Sequence, residues 1–176
     1  GTWQGGFLGA GDMCWPYRTV GYEHFLRWPL DWKGVVLNVA ESYEVNDAGT
    51  EFTFKLRQGT LWSDGEPYSA DDTVWWYEND MSNAELTQVA PKWLSPGGEP
   101  VVVSKVDDFS VKFTFAGPHG LFLYQIAQPG GSLLTRIPAH YMQQFHPDFN
   151  DQVDALVAQE SFDNWMDLYD SKNLSG

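Results

Sequence analysis

Two short runs with a period of two residues constrain this chain more than any other feature. Phe52, Phe54 and Leu56 alternate with Thr53, Lys55 and Arg57, and Val111, Phe113 and Phe115 alternate with Lys112 and Thr114. Alternation puts every apolar side chain on one face of a strand, so each run must lie on a core with its other face toward water. Each run also has a partner across a short turn. Val35 to Val45 precedes the turn Asn46-Asp47-Ala48-Gly49 and ends with Tyr43 and Val45 on one face. Val101, Val103 and Lys105 precede a turn at Asp107-Asp108. Two hairpins are expected.

A helix is expected between them. Ser69 is placed to cap it, Asp72 follows three residues on in the capping-box position, and Asp71 adds negative charge at the positive end of the helix. Ala70, Val74, Tyr77 and Met81 recur at spacings of four, three and four, which is one helical face. Trp75 borders that face. At about 100° per residue Trp76 lies about 200° from Val74, which predicts a ring pointing away from the core.

The remainder reads as loops and helices. Ala90 to Pro100 is a loop, and Leu121 to Gln128 is a short helix stopped by Pro129-Gly130-Gly131. Pro138 opens a helix to about Phe145, Asp151 to Gln159 forms another, and Ser161 caps a last one carrying Phe162, Trp165, Met166 and Tyr169. Gly1 to Gly21 mixes glycine and aromatics without a period, which is irregular chain. The fold class that follows is α+β: a hairpin-rich mixed β-sheet packed with several helices. Its division is an irregular segment at 1–34 and an α+β unit at 35–176, within the size of one domain and a small second unit for 176 residues.

Charge excludes several functions. Ten Lys and Arg stand against 24 Asp and Glu, a net charge of −14, which repels nucleic acid and anionic membranes alike. No apolar run approaches the ~20 residues that cross a bilayer. No basic-then-apolar start reads as a signal peptide, so the chain reads as a mature N-terminus or an excised piece. Cys14 is the single cysteine, which rules out an internal disulfide and a zinc site of several thiolates; it reads as a small buried hydrophobe.

Signatures of catalysis are missing. There is no phosphate-binding loop, no nucleophile elbow and no dinucleotide fingerprint. Neither His24 nor His119 has a patterned partner, and His140 and His146 are not spaced to share a helix face, so no metal and no cofactor is expected. Asp71 with Asp72, and Asp107 with Asp108, are the carboxylate pairs a glycoside hydrolase would need, but one pair sits at a helix start and the other in a turn, where Asp serves caps and turns. Asn173-Leu174-Ser175 matches a glycosylation acceptor, relevant only to a eukaryotic secretory setting. The 9 Trp, 8 Tyr and 11 Phe supply core and interface first, with Trp and Tyr also able to stack on flat ligands.

One stretch resembles a known family. Ala40-Glu41-Ser42-Tyr43-Glu44-Val45, the turn Asp47-Ala48-Gly49-Thr50 and Phe52-Thr53-Phe54-Lys55-Leu56-Arg57 follow one another, then Gly59, Trp62-Ser63-Asp64-Gly65-Glu66-Pro67 and Ala70-Asp71-Asp72-Thr73-Val74. This is similar to the family 5 extracellular solute-binding proteins, receptors of ABC importers for peptides, oligopeptides, nickel and oligosaccharides. Upstream, Tyr22-Glu23 and Trp28 to Asp31 resemble the family's early segment, with His24-Phe25 where Pro-Leu is usual. Downstream, Ile137-Pro138-Ala139-His140-Tyr141, Gln144-Phe145-His146-Pro147 and Trp165 to Tyr169 resemble a large-ligand branch.

The resemblance implies a subdomain of the type II, large-ligand periplasmic-binding-protein fold, with 1–34 belonging to the larger lobe and 35–176 forming the accessory subdomain. It implies no catalysis, a peptide or oligosaccharide as ligand, the remaining lobe and an ABC permease as partners, and a periplasmic or extracellular location with lipoprotein attachment as one form of it. Within that frame Trp76, Trp15 and Trp3 are the candidate ligand-stacking rings. Two other classes compete: a stand-alone carbohydrate-binding module using exposed Trp and Tyr, and a glycoside hydrolase built on the carboxylates.

Overall fold

A computed structural model describes residues 23–175. The two hairpins are present and join into one antiparallel sheet. Strand β3 (Ala40–Val45) pairs with β4 (Glu51–Leu56), β4 with β6 (Ser110–Thr114), and β6 with β5 (Val102–Asp107), giving the order β3-β4-β6-β5. Register places Phe54 opposite Val111 and Phe52 opposite Phe113. The alternating residues therefore meet on one face, where Phe52, Phe54, Leu56, Val111, Phe113 and Phe115 are buried. Phe122, on helix α2 (Phe122–Ile126), sits among four of these rings at centroid distances of 4.9–6.2 Å. On the other face Lys55 and Lys112 lie near Glu41 and Glu51.

The expected run from Val35 to Val45 is split. Val36–Leu37 forms β2, which pairs with β1 (Leu26–Arg27) in a separate two-stranded ribbon, and β3 starts only at Ala40. Phe25 and Leu26, inside the segment assigned to 1–34, are fully buried in the same cluster as the sheet. The first turn is fixed by its side chains: Asn46 Oδ1 accepts the Thr50 and Glu51 backbone N–H groups at 2.9 and 3.0 Å, and Gly49 takes φ +66°, a conformation that favours glycine.

Helix α1 (Ala70–Trp75) carries the full capping box: the Ser69 side chain accepts from the helix N-terminus while Asp72 accepts the Ser69 N–H. It continues as a π-helical turn over Trp76–Met81, closed by the Ser82 N–H donating to the Tyr77 carbonyl. Here one expectation is corrected. Trp76 does not point away from the core; it is 0% exposed. Its angle from Val74 is not the error. The helix is a middle layer, packed against β5 and β6 on the sheet and also against the segments at 129–135 and 139–142, so away from the sheet is still inside the protein. For the same reason the buried set on this element includes Asp72, Thr73 and Asp80, which a two-sided, apolar-in reading assigns to water.

The C-terminal helices form the second covering layer. A 3₁₀ segment (Pro129–Thr135) leads to α3 (Ala139–Met142), then α4 (Val153–Glu160) and α5 (Trp165–Ser175). Ser161 does not cap α5. It takes φ +61° and ends α4, and Asn164 opens α5 by accepting the Asp167 N–H at 2.9 Å. The loop at 90–100 contains two short 3₁₀ turns.

If Trp76 is a packing residue, Trp76→Ala lowers unfolding free energy by about 3–5 kcal/mol. Denaturant titration of the chain measures this, and a loss below about 0.5 kcal/mol would place the ring at the surface.

Candidate functional site

Two segments far apart in sequence meet around a cavity of about 600 Å³. The first is the loop from Thr60 to Tyr68. It folds back on itself through a Leu61–Pro67 bridge, a Tyr68 N–H bond to the Thr60 carbonyl at 2.9 Å and a turn at Gly65 with φ +94°. This presents Trp62 and Tyr68 edge to face, with ring centroids 5.3 Å apart. The second is Thr135 to Met142, which brings Arg136, Pro138 and Tyr141 to the opposite wall.

Polar contacts tie the two walls together. Tyr68 is buried, with its hydroxyl 2.8 Å from the Thr73 hydroxyl and donating to the Leu134 carbonyl at 2.9 Å. Burial pushes the Tyr68 phenol far above its ordinary range, so it stays a neutral donor. Asp72 reaches across with both oxygens: one accepts the Ser69 N–H and the other the Ala139 N–H at the start of α3, each at 2.9 Å. Desolvation raises the Asp72 carboxyl, and those two N–H groups and Trp62 oppose the rise. A raised folded-state pKa means the folded chain holds this proton more tightly than the unfolded one. The pH-dependent part of its contribution is therefore present below about 3.8 and lost as pH rises through the folded value. At the exposed rim His140 Nε2 lies 2.7 Å from Asp64, and this contact holds the Asp64 carboxyl below its ordinary value.

The carboxylate pairs are structural. Asp71 and Asp108 both bind Lys105, at 2.8 and 2.7 Å, Asp72 makes the clasp just described, and Asp107 accepts the Phe109 N–H in its turn. Among the described residues no cluster of His, Cys, Asp and Glu is arranged to hold a metal, and no helix is long and apolar enough to cross a membrane. Of the expected stacking rings, Trp76 is buried and presents no face to a ligand, while Trp3 and Trp15 lie outside the described residues, as does Cys14. The cavity rings are instead Trp62, Tyr68 and Tyr141. The signal that marks them is the pair of segments at 62–74 and 137–141, which the fold joins edge to edge. A second aromatic group lies elsewhere, with Trp28 5.5 Å from both Trp32 and Tyr124.

The hairpin sheet and the buried capped helix of this α+β unit frame a cavity of the size of a small solute. The family model "Bacterial extracellular solute-binding proteins, family 5 Middle" matches residues 34–165. The chain belongs to this family. It is 29% identical over 114 residues to the periplasmic alpha-galactoside-binding protein of Rhizobium meliloti, covering 64% of this chain and 16% of the relative. It is 27% identical over 137 residues to the dipeptide-binding protein of Escherichia coli, covering 70% and 25%. The solved oligopeptide-binding protein OppA superposes with a TM-score of 0.76 at 35% identity, over 85% of this chain and 23% of that one. The fold is that of the type II periplasmic binding proteins, as expected from the sequence. The chain spans a quarter or less of the length of these relatives, all of which are binding proteins. Nothing in these likenesses supports a stand-alone carbohydrate-binding module.

Removing the Tyr68 hydroxyl strips a buried carbonyl of one donor, so Tyr68→Phe is expected to cost roughly 1–3 kcal/mol of stability without changing the sheet. Thermal unfolding with far-ultraviolet circular dichroism reads both, and an unchanged midpoint contradicts the clasp between the walls.

Proposed function

We propose that this chain is the accessory-subdomain part of an extracytoplasmic receptor that captures a peptide or an oligosaccharide and delivers it to the permease of an ABC importer. The observation that carries this is the extent of the family match, 34–165, which takes in both segments that wall the cavity. The two relatives are named for the two solute classes, an α-galactoside and a dipeptide. In this reading 35–176 is the accessory subdomain and 1–34 belongs to the larger lobe, with the remaining lobe closing over the solute. Trp3 and Trp15 remain candidate stacking rings there. No covalent step is needed. A solute that bridges both lobes binds the closed state better than the open one and shifts the population toward it. The location is periplasmic or extracellular, with a lipid anchor as one form of attachment.

The test uses the longer protein encoded around this chain. Its thermal midpoint is followed against a panel of di- to pentapeptides and a panel of galactosides and malto-oligosaccharides. At least one solute is expected to raise the midpoint with rising concentration, as binding to the folded state requires. Silence across both panels, with turnover of a chromogenic glycoside, would replace the receptor with a hydrolase.

A further inference from the structure

His146 is only 1% exposed and sits where three parts of the chain meet. Four rings surround it edge to face, with centroids 5.1–6.2 Å away. Trp75 comes from the end of α1, Phe149 from the turn that His146 itself opens, and Trp165 and Tyr169 from the start of α5. Both ring nitrogens are engaged. Nδ1 accepts the Asp148 backbone N–H at 3.2 Å, and Nε2 faces the Asn83 side-chain amide at 3.3 Å. Beside the ring, Glu85 accepts from Trp165 Nε1 at 3.1 Å and Asp80 accepts from the Tyr169 hydroxyl at 3.2 Å. The imidazole is thus at the centre of the contacts that hold α5 against the segment at 75–85.

Only a neutral ring fits this arrangement. An imidazole that accepts at Nδ1 carries its single proton on Nε2. A second proton would go to Nδ1, where it meets the Asp148 N–H, donor against donor, and would put a charge where almost no water reaches. Removal from water holds the ring below its ordinary value of 6.5, against the Asp148 carboxylate 3.9 Å from Nδ1, the Asn79 carbonyl and the Glu85 carboxylate, which all favour the proton. The folded chain therefore takes up this proton less readily than the unfolded one. The stability that depends on it is full above about 6.5 and is lost as pH falls from there to the folded value.

We propose that His146 is a pH-sensitive latch: the neutral ring fixes α5 in place, and the protonated ring gives up the Asp148 N–H and loosens α5. The consequence reaches the cavity, because α5 also supplies Lys172 and Asn173 to its wall. Acid thus relaxes one wall of the cavity while the hairpin sheet, held by apolar packing, keeps its order. The latch is a property of this fold and stands independently of the receptor reading.

The experiment is amide hydrogen exchange of the 176-residue chain at about pH 7.5 and about pH 5, on either side of the imidazole range, with rates corrected for the intrinsic effect of pH. Protection of the Leu168 and Tyr169 amides is expected to fall at least about tenfold more than that of Phe54 and Phe113. Comparing α5 with the sheet removes any fall shared by the whole fold, such as one caused by His24, which burial also holds below its ordinary value. In His146→Gln, neutral at both pH values, the excess fall disappears. An equal fall in α5 and the sheet, or an excess that survives in His146→Gln, overturns the latch. If that variant fails to fold, the ring nitrogen resonances of the unaltered chain decide. A His146 midpoint below 6.5 that coincides with the loss of α5 protection supports the latch, and a midpoint at or above 6.5 overturns it.

Discussion

The Asp72 carboxylate is the contact on which the rest of this structure depends. One oxygen closes the start of α1 through the Ser69 N–H, and the other holds the start of α3 through the Ala139 N–H, 67 residues away in sequence. The group is only 5% exposed, so its charge is carried by aligned backbone N–H groups rather than by water. A single side chain thus sets the relation between the helix that backs the sheet and the segment that walls the cavity. Removing it would leave two helix starts unsatisfied and the carboxylate's space open.

That clasp only works because α1 is a middle layer. The sheet supplies an aromatic face packed around Phe122, and the C-terminal helices supply a covering layer that includes the buried Leu168 and Tyr169. Burial on both sides explains the aromatic surplus, since large rings fill the space between two layers with few residues. It also explains why the buried polar groups Thr73 on α1 and Asp80 on the turn that follows it each have a hydrogen-bond partner, Tyr68 and Tyr169.

The sheet was legible from sequence because period-two alternation and Asn/Gly turn chemistry are local. The Ser69 capping box was legible for the same reason. What failed had a tertiary cause. Periodicity places Trp76 outside because it reports which residues share a face, not how many layers cover the element. Asp72 reads from the sequence only as a capping-box residue, because its second partner, the Ala139 N–H, is 67 residues away. Ser161 and Asn164 are both good caps, and only the backbone shows that Ser161 turns left-handed. The cavity was hidden in plain motifs: the segments at 62–74 and 137–141 marked the family, but nothing in their spacing said that they touch.

The proposed function rests on that junction. A binding protein needs a preformed, mostly apolar pocket with few polar groups, and the Asp72 clasp is what brings Trp62 and Tyr68 opposite Arg136 and Tyr141. The most direct test is backbone amide hydrogen exchange, comparing the chain with its Asp72→Ala variant. The account predicts that the Ala139 amide loses protection by about tenfold or more while the amides of Phe54 and Phe113 keep theirs, because local opening tracks the contact removed. Equal protection of Ala139 in both proteins would contradict it.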